Sequence, residues 1–290
     1  CSSFLVTCNN PTSQSDGKTY NERIIEWRSE RLKNLKSPHG WLNLAGLYWL
    51  DPGANTIGSD SSNDVVFPEK AAGNLGNLYL LDNSIRFTTG KDVKVTHQDS
   101  LIDEIQLESD AKGDPTVLKH RSLKWYVIKR EDQYGIRLRD LESPLLDQLT
   151  KIPAFPVDKE WKIRAKFKPH EGKKTMEVPN VLGGTYREKT PGLLKFEYRE
   201  QTYTLYPMGS RESLFVVFGD DTNAEETYGG GRFLVVKEPN KNNITYLDFN
   251  KAYNPPCAFT PYATCPLPPR ENVLPFKVKA GEKVPDLDVP

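Results

Sequence analysis

Short apolar runs separated by Gly, Asn, Asp and Pro fill the chain from Trp41 onwards, and this spacing limits its fold more than any other feature. Runs this short, bounded by turn-forming residues, are typical of β-strands. Many such strands at regular spacing form a sandwich or a barrel. The sequence therefore predicts a mainly β fold, sandwich or barrel-like, built from many short antiparallel strands.

Two of these runs, residues 123–128 and 134–139, form a predicted hairpin with its turn at residues 130–133. In the second run Ile136 and Leu138 alternate with two arginines, which places the arginines on the opposite face of the sheet. The remaining predicted strands cover residues 55–57, 64–67, 78–81, 85–87, 93–95, 104–107, 163–167, 175–178, 193–198, 202–206, 214–218, 232–236 and 244–248.

One helix is predicted, over Tyr20–Lys36. Ile24, Leu32 and Leu35 recur at helical spacing, and charged residues occupy the other faces. We expect this charged surface to be solvated. The Ser-Pro-His-Gly sequence at residues 37–40 ends the helix.

Length and charge narrow the class of protein. A chain of 290 residues with 37% hydrophobic residues supports one large core or two modest ones. We interpret residues 20–290 as a β-rich domain, with a possible division into two subdomains near residue 150. The net charge is zero and basic residues are scattered, so no nucleic-acid partner is expected.

Two N-terminal cysteines fit a bacterial lipoprotein signal, in which a short apolar segment precedes the Cys that receives lipid. The apolar residues 4–6 favour Cys8, whereas Thr7 is a poor match for the small residue before a lipidated Cys and favours Cys1. Residues 1–19 are accordingly interpreted as anchor and tether, and two incidental cysteines are the alternative. We expect a protein of the bacterial cell envelope, periplasm-facing or on the outer membrane, that contacts the membrane by its lipid anchor alone.

Residues 246–269 combine six prolines, two cysteines and several aromatic and polar side chains. Proline fixes φ and removes a backbone donor, so this stretch is predicted to be a stiff, extended loop. In an exported protein Cys257 and Cys265 form a possible disulfide, with buried free thiols as the alternative. No metal is expected, because a metal site needs more ligands at short spacing.

Polar residues at predicted strand ends are the candidate functional residues. An anion or sugar site is predicted from Arg139, Asp140, Tyr228, Arg232, Asp248, Asn250, Tyr253 and Asn254. The candidate acid and base are Asp220, Glu226 and Asp248, since two carboxylates in different environments can divide these roles. The structural alternative is that the arginines and carboxylates form buried salt bridges. No cofactor motif is present in the sequence.

Three functions remain open from these residues. The first is an envelope lipoprotein that binds a small polar ligand or a glycan in a pocket walled by the proline-rich loop. The second is a hydrolase with a carboxylate acid/base pair. The third is a structural scaffold of the envelope without a pocket.

Several motifs resemble a known family. They include Gly-Trp-Leu at residues 40–42, Gly-Arg-Phe-Leu at 231–234, the proline-rich stretch 248–269 and Gly-Glu-Lys at 281–283. Together they are similar to the bacterial and archaeal family catalogued as domain of unknown function 1684, over about residues 20–283. The resemblance implies no particular chemistry, because that family has no assigned activity. If cytosolic relatives share the motif, Cys257 and Cys265 need not be bridged.

We expect the native N-terminal peptide to carry lipid on Cys1 or Cys8, which mass spectrometry of the protein from its native host will show. Replacing the lipidated cysteine by Ser removes the added mass and releases the protein from membranes. The same substitution at the other cysteine leaves both properties unchanged. An unmodified peptide at both positions would refute the anchor.

Overall fold

A computed structural model describes residues 17–287, so Cys1, Cys8 and most of the predicted anchor lie outside the described residues. The helices are α1 (Tyr20–Lys36) and α2 (Leu145–Gln148). The strands are β1 (Leu44–Trp49), β2 (Gly53–Gly58), β3 (Val65–Val66), β4 (Gly76–Leu81), β5 (Ser84–Thr89), β6 (Thr96–His97), β7 (Ser100–Leu101), β8 (Glu104–Leu107), β9 (Leu118–His120), β10 (Leu123–Arg130), β11 (Gln133–Asp140), β12 (Lys162–Pro179), β13 (Thr185–Tyr198), β14 (Gln201–Leu205), β15 (Met208–Gly209), β16 (Leu214–Asp220), β17 (Arg232–Val236), β18 (Ile244–Asp248) and β19 (Val273–Leu274). The prediction of a mainly β protein with one N-terminal helix is confirmed.

The first half of the chain is a sandwich of two sheets. A six-stranded sheet has the order β1-β11-β10-β9-β6-β7, and a five-stranded sheet has the order β3-β2-β4-β5-β8. Between them Trp125 meets Phe67 and Phe87 edge to face, at centroid distances of 5.7 and 5.9 Å. The predicted hairpin is present as β10 and β11, with Val127 opposite Ile136.

The second half forms another pair of packed sheets. Strands β14-β13-β12-β18 form one sheet; β15-β16-β17 form the other, with β19 added parallel to β16. Phe249 lies at the centre of their shared core and contacts Trp161, Phe196 and Phe218, with ring centroids 6.2, 6.3 and 5.3 Å away. The predicted division near residue 150 lies between the two cores in the chain, and the independence of the two parts stays a prediction.

Helix α1 begins at a capping box. The Thr19 hydroxyl accepts from the Glu22 amide, and the Glu22 carboxylate accepts from the Thr19 amide. The helix buries Ile24 and Leu35, in keeping with the predicted apolar positions. Among residues 17–287, no helix combines the length and the apolar character needed to cross a bilayer.

The prediction that the charged residues of α1 are solvated is wrong for two of them. Arg28 donates to the Phe155 carbonyl at 3.0 Å, and Arg31 forms an ion pair with the buried Glu282, also at 3.0 Å. Both arginines have long side chains whose stems pack while the guanidinium reaches a buried acceptor. Helix α1 is therefore fastened to the second half of the chain by charged groups.

The sequence also misplaced some strand boundaries. No strand covers residues 93–95; Asp92 has a φ of +59° and turns the backbone, so Val95 reaches the core from a loop. Strands β12 and β13 are longer than predicted because their hairpin extends through an exposed polar stretch around Lys173. An exposed hairpin has no buried face and so lacks the apolar alternation that marks a strand.

The predicted face of the two arginines in β11 is correct, but that face is covered. Arg137 and Arg139 are both buried, with their guanidinium groups 5.8 and 6.0 Å from the ring centroid of Trp41. Burial lowers the pKa of Arg137 below its usual value. The sequence shows which face the arginines share, and the packing of Trp41 decides that the face is not solvated.

Replacing Phe249 with Ala is expected to lower the free energy of unfolding by about 3 to 5 kcal/mol, because a fully buried aromatic ring leaves a cavity among three others. Urea unfolding followed by tryptophan fluorescence measures the change. Leu182→Ala is the control: Leu182 is 55% exposed, and its truncation is expected to change stability by less than about 0.5 kcal/mol. Equal effects of the two substitutions would contradict the placement of Phe249.

Candidate functional site

The proline-rich loop at residues 246–269 is packed into the protein rather than extended away from it. It contains the short 3-10 helices Phe249–Lys251 and Pro256–Ala258. Cys257 and Cys265 are joined by a disulfide, with Cα atoms 6.2 Å apart. Cys265 is buried and belongs to an apolar cluster that also holds residues of β16 and β17. The loop thus closes one side of the second sheet pair.

Arg232 and Asp220 form a buried ion pair. Both side chains have no exposed surface, and Arg232 Nη2 lies 2.7 Å from Asp220 Oδ2. The same guanidinium donates to the carbonyls of Val278 and Ala280. Burial lowers the pKa of Arg232, and the charge of Asp220 opposes this shift. Both predicted site residues are engaged in holding the C-terminal segment.

Asp220 uses its second oxygen as well. Oδ1 accepts hydrogen bonds from the Thr222 amide at 2.9 Å, the Thr222 hydroxyl at 2.6 Å and the Val278 amide at 3.1 Å. A carboxylate whose two oxygens are both occupied within the protein has no oxygen directed at a substrate. This geometry matches the structural alternative for Asp220 and Arg232.

Two predicted asparagines and Tyr253 lie beneath α1. Asn250 is fully buried and exchanges hydrogen bonds with the backbone of Asp158, at 3.0 and 2.7 Å. The backbone N–H of Asn254 donates to Glu282 Oε2 at 2.7 Å. The ring of Tyr253 lies below the guanidinium of Arg31, 4.5 Å from its centroid.

Glu282 joins these groups and was not among the predicted site residues. Its carboxylate is almost fully buried and accepts hydrogen bonds from the Arg31 guanidinium and from the backbone N–H of Asn254. Burial raises the pKa of Glu282, and the charge of Arg31 opposes this shift. The sequence motif that contains Glu282 was recognised, but nothing in its spacing indicates that α1 would cover it.

Arg139 and Asp140 lie elsewhere in the protein, whereas Tyr228 packs against a buried cluster that contains Leu35 of α1 and Phe259 of the proline-rich loop. Arg139 donates to Asn43 Oδ1 at 2.7 Å, and Asp140 forms an ion pair with Lys70 at 2.7 Å. Burial alone would raise the pKa of Asp140, but hydrogen bonds from the Lys70 ammonium and the Glu142 backbone amide outweigh it, so its pKa lies below its usual value. Burial raises the pKa of Tyr228.

Asp140 does meet the proline-rich loop. Together with Leu145 and Tyr262 it lines an open cleft of about 310 Å³, and Tyr262 belongs to that loop. Of the predicted ligand-binding residues, Asp248 lines a different and larger cavity. The structure therefore divides the predicted set between separate places.

The three candidate carboxylates do not share a cleft. Glu226 forms ion pairs with Lys279 and Lys283 at 3.5 and 3.4 Å, and these lysines help to lower its pKa. Asp248 accepts a hydrogen bond from the Tyr20 hydroxyl at 2.6 Å and lines the larger cavity, which neither Asp220 nor Glu226 lines.

That larger cavity, of about 530 Å³, lies between α1 and the strands β12, β17 and β18. We call it the α1 cavity. Its walls include the aromatic rings of Tyr20, Trp27 and Tyr246. Its charged groups are the cations Arg23, Lys162, Lys237 and Lys251 and the carboxylates Glu238 and Asp248.

The cations of the α1 cavity influence one another. Burial lowers the pKa of Lys251, and the charges of Lys237, Lys162 and Arg23 lower it further, against the opposing effect of Asp248. Lys162 lies over two rings, 5.4 Å from the Tyr20 centroid and 5.2 Å from that of Tyr246. Sequence reasoning missed these cations, since they lie far apart in the chain and each resembles an ordinary surface lysine or arginine.

Metal ligands are not clustered in the part of the chain that the structure describes: residues 17–287 contain no group of three or more His, Cys, Asp or Glu side chains arranged to hold an ion.

Replacing Arg232 with Met is expected to lower the free energy of unfolding by about 3 to 5 kcal/mol, because Asp220 is left charged and unpaired in the interior. Denaturant unfolding measures the loss. In the double variant Arg232→Met with Asp220→Leu, a large part of the stability returns since no buried charge remains. A single variant as stable as the parent would contradict a structural role for the pair.

Comparisons with known proteins give a family but no activity. Residues 147–283 match the family described as "Protein of unknown function (DUF1684)", a later start than the residue 20 indicated by the sequence motifs. The chain is 30% identical to an uncharacterized protein of Haloarcula marismortui solved by NMR. That match covers 49% of this chain and 80% of the other, with a TM-score of 0.41. A search among curated proteins gives no match. Through residues 147–283 the chain belongs to the DUF1684 family.

Proposed function

We propose that this protein binds a small anionic ligand in the α1 cavity and that a lipid holds it at the bacterial cell envelope. The observation that carries the proposal is the gathering of four cations and three aromatic rings around one cavity of about 530 Å³. This volume lies within the range of small-molecule sites, roughly 300 to 1,000 Å³. The predicted small polar ligand or glycan is thereby narrowed to one that carries negative charge.

The charges of the cavity favour an anion. Its cations outnumber its carboxylates by four to two. Within residues 17–287, Lys162, Lys237 and Lys251 form no ion pair with a carboxylate. Like charges held together raise the electrostatic potential of a partly enclosed site, and an anion that enters relieves their repulsion.

The cavity also offers apolar surface. Val235 and Tyr246 line it and are 59% and 48% exposed, although both are hydrophobic residues within strands. Trp27 of α1 faces the same space. A ligand with a ring or a short apolar portion next to its acidic group would cover these side chains.

Two features fit an envelope protein. Helix α1 begins at Tyr20, so in the chain it follows directly after the predicted tether at residues 1–19. The disulfide between Cys257 and Cys265 suits an oxidising compartment such as the periplasm.

Titration calorimetry on the full chain with matched pairs of probes tests the binding of anions. Glucuronate and phenyl phosphate are expected to bind and to bind more weakly as salt is added, whereas glucose and phenol are not. This comparison separates a charged ligand from a neutral glycan. Equal affinity for glucuronate and glucose would contradict the proposal.

Variants locate the binding to the α1 cavity. Lys162→Glu and Lys237→Glu are each expected to lower the affinity for phenyl phosphate at least tenfold, because each reverses a charge that lines the cavity. Lys173→Glu makes the same change of net charge on the exposed far part of β12 and is expected to leave the affinity unchanged. If Lys173→Glu weakens binding as much as the other two, the ligand does not occupy the cavity. Absence of binding to every probe would favour the scaffold hypothesis.

A further inference from the structure

We infer that the ligand of the α1 cavity is an anionic aldehyde or ketone and that the amine of Lys251 forms an imine with its carbonyl carbon. The inference rests on the proposed function, since the other cations must hold the acidic group of the ligand. It adds a covalent step to what is otherwise a binding site.

Lys251 projects into the cavity from a fixed base. It ends the 3-10 helix Phe249–Lys251, whose other two residues are fully buried. Phe249 is packed among the aromatic rings of the core, and the Asn250 side chain is bonded to the Asp158 backbone. A lysine on such a base can be held near a bound carbonyl group, which a lysine on a loose loop cannot.

The surroundings of Lys251 favour its neutral form. The side chain is half-buried, and its ammonium lies 6.0 Å from the centroid of the Trp27 ring. The cations that face it come from three other elements: Arg23 of α1, Lys162 of β12 and Lys237 beyond β17.

The opposing charge comes from Asp248, with Glu238 also on the cavity wall. Burial and the three cations prevail over the carboxylate, so the pKa of Lys251 lies below its usual value. Only a neutral amine attacks a carbonyl group, and an ordinary lysine, with a pKa of about 10.4, is almost entirely protonated at neutral pH.

The other cations of the cavity, besides lowering the pKa of Lys251, can bind the acidic group of the ligand. A ligand that carries a carboxylate or phosphate is held by Lys162 and Lys237, which line the same cavity. Its carbonyl carbon then lies within reach of Lys251. The same positive charges therefore retain the ligand and activate the nucleophile.

The step balances without any oxidant or reductant. The lone pair of Lys251 Nζ forms a bond to the carbonyl carbon while the carbonyl π electrons move to oxygen, and a proton passes from nitrogen to that oxygen to give a carbinolamine. The carbinolamine then loses its hydroxyl group together with the remaining N–H proton as water, and the nitrogen lone pair closes the C=N bond.

Asp248 and Tyr20 are placed to carry these protons. They line the cavity and share a hydrogen bond of 2.6 Å. Burial and the neighbouring Asp248 raise the pKa of Tyr20 above its usual value, so its hydroxyl stays protonated and donates to the carboxylate. Asp248, the one candidate catalytic carboxylate that lines this cavity, thus has a proton-transfer role.

Borohydride trapping tests the inference. The full chain is incubated at neutral pH with pyridoxal 5′-phosphate, an aldehyde that carries a phosphate; borohydride then reduces any imine, and peptide mass spectrometry locates it. Lys251 is expected to be modified at least ten times faster than the exposed Lys173. Pyridoxal, which lacks the phosphate, is expected to show a smaller preference for Lys251. Equal rates at the two lysines would overturn the inference.

Lys251→Arg tests the covalent step. The guanidinium stays protonated and forms no imine at neutral pH, so this variant is expected to lose the fast adduct. In the parent protein, the rate of modification at Lys251 is expected to rise with pH around a midpoint below the ordinary lysine pKa of about 10.4, a measurement that needs no variant.

The two proposals fail in different ways. If phenyl phosphate binds in the parent but Lys251 reacts no faster than Lys173, the imine is excluded and the anion site stands. If phenyl phosphate does not bind at all, the anion site itself is excluded and the imine with it.

Discussion

The ion pair between Arg232 and Asp220 is the contact on which the rest of the second half depends. Its guanidinium holds the carbonyls of Val278 and Ala280, which brings the C-terminal segment across the sheet formed by β16 and β17. Two residues after Ala280, the Glu282 carboxylate accepts a hydrogen bond from Arg31 of α1. The ion pair therefore positions the helix that walls the α1 cavity, although neither of its residues lines that cavity.

Buried charge explains why each of these charged groups has several partners. An isolated charge in a protein interior is costly, so a buried guanidinium and carboxylate persist only when each is surrounded by partners. Asp220 and Arg232 meet this condition through each other and through backbone groups, and Glu282 meets it through Arg31 and a backbone amide. Within residues 17–287, Arg232 Nε is the one nitrogen of that guanidinium without a hydrogen-bond partner. Groups used in this way are poor candidates for binding an external ligand, and their role is to fix the geometry around them.

The α1 cavity presents the opposite arrangement. Two of its lysines, Lys162 and Lys251, contact aromatic rings instead of carboxylates, and hydrophobic side chains on neighbouring strands remain exposed. Such a site retains electrostatic attraction that the protein has not neutralised internally. A ligand that is both anionic and partly apolar would pair with the lysines and cover the exposed hydrophobic side chains. Lys251 adds a reactive amine to this site.

The sequence alone determined the β class, the helix Tyr20–Lys36, the β10–β11 hairpin and the family, because apolar spacing, turn residues and the proline-rich motif act over short stretches of chain. It also singled out Asp248. Only the tertiary structure decided that Arg232 is a buried clamp and that Lys162 and Lys251 face one cavity. Residues so far apart in sequence are brought together by the packing of α1 on the sheets, and no local sequence pattern predicts that packing.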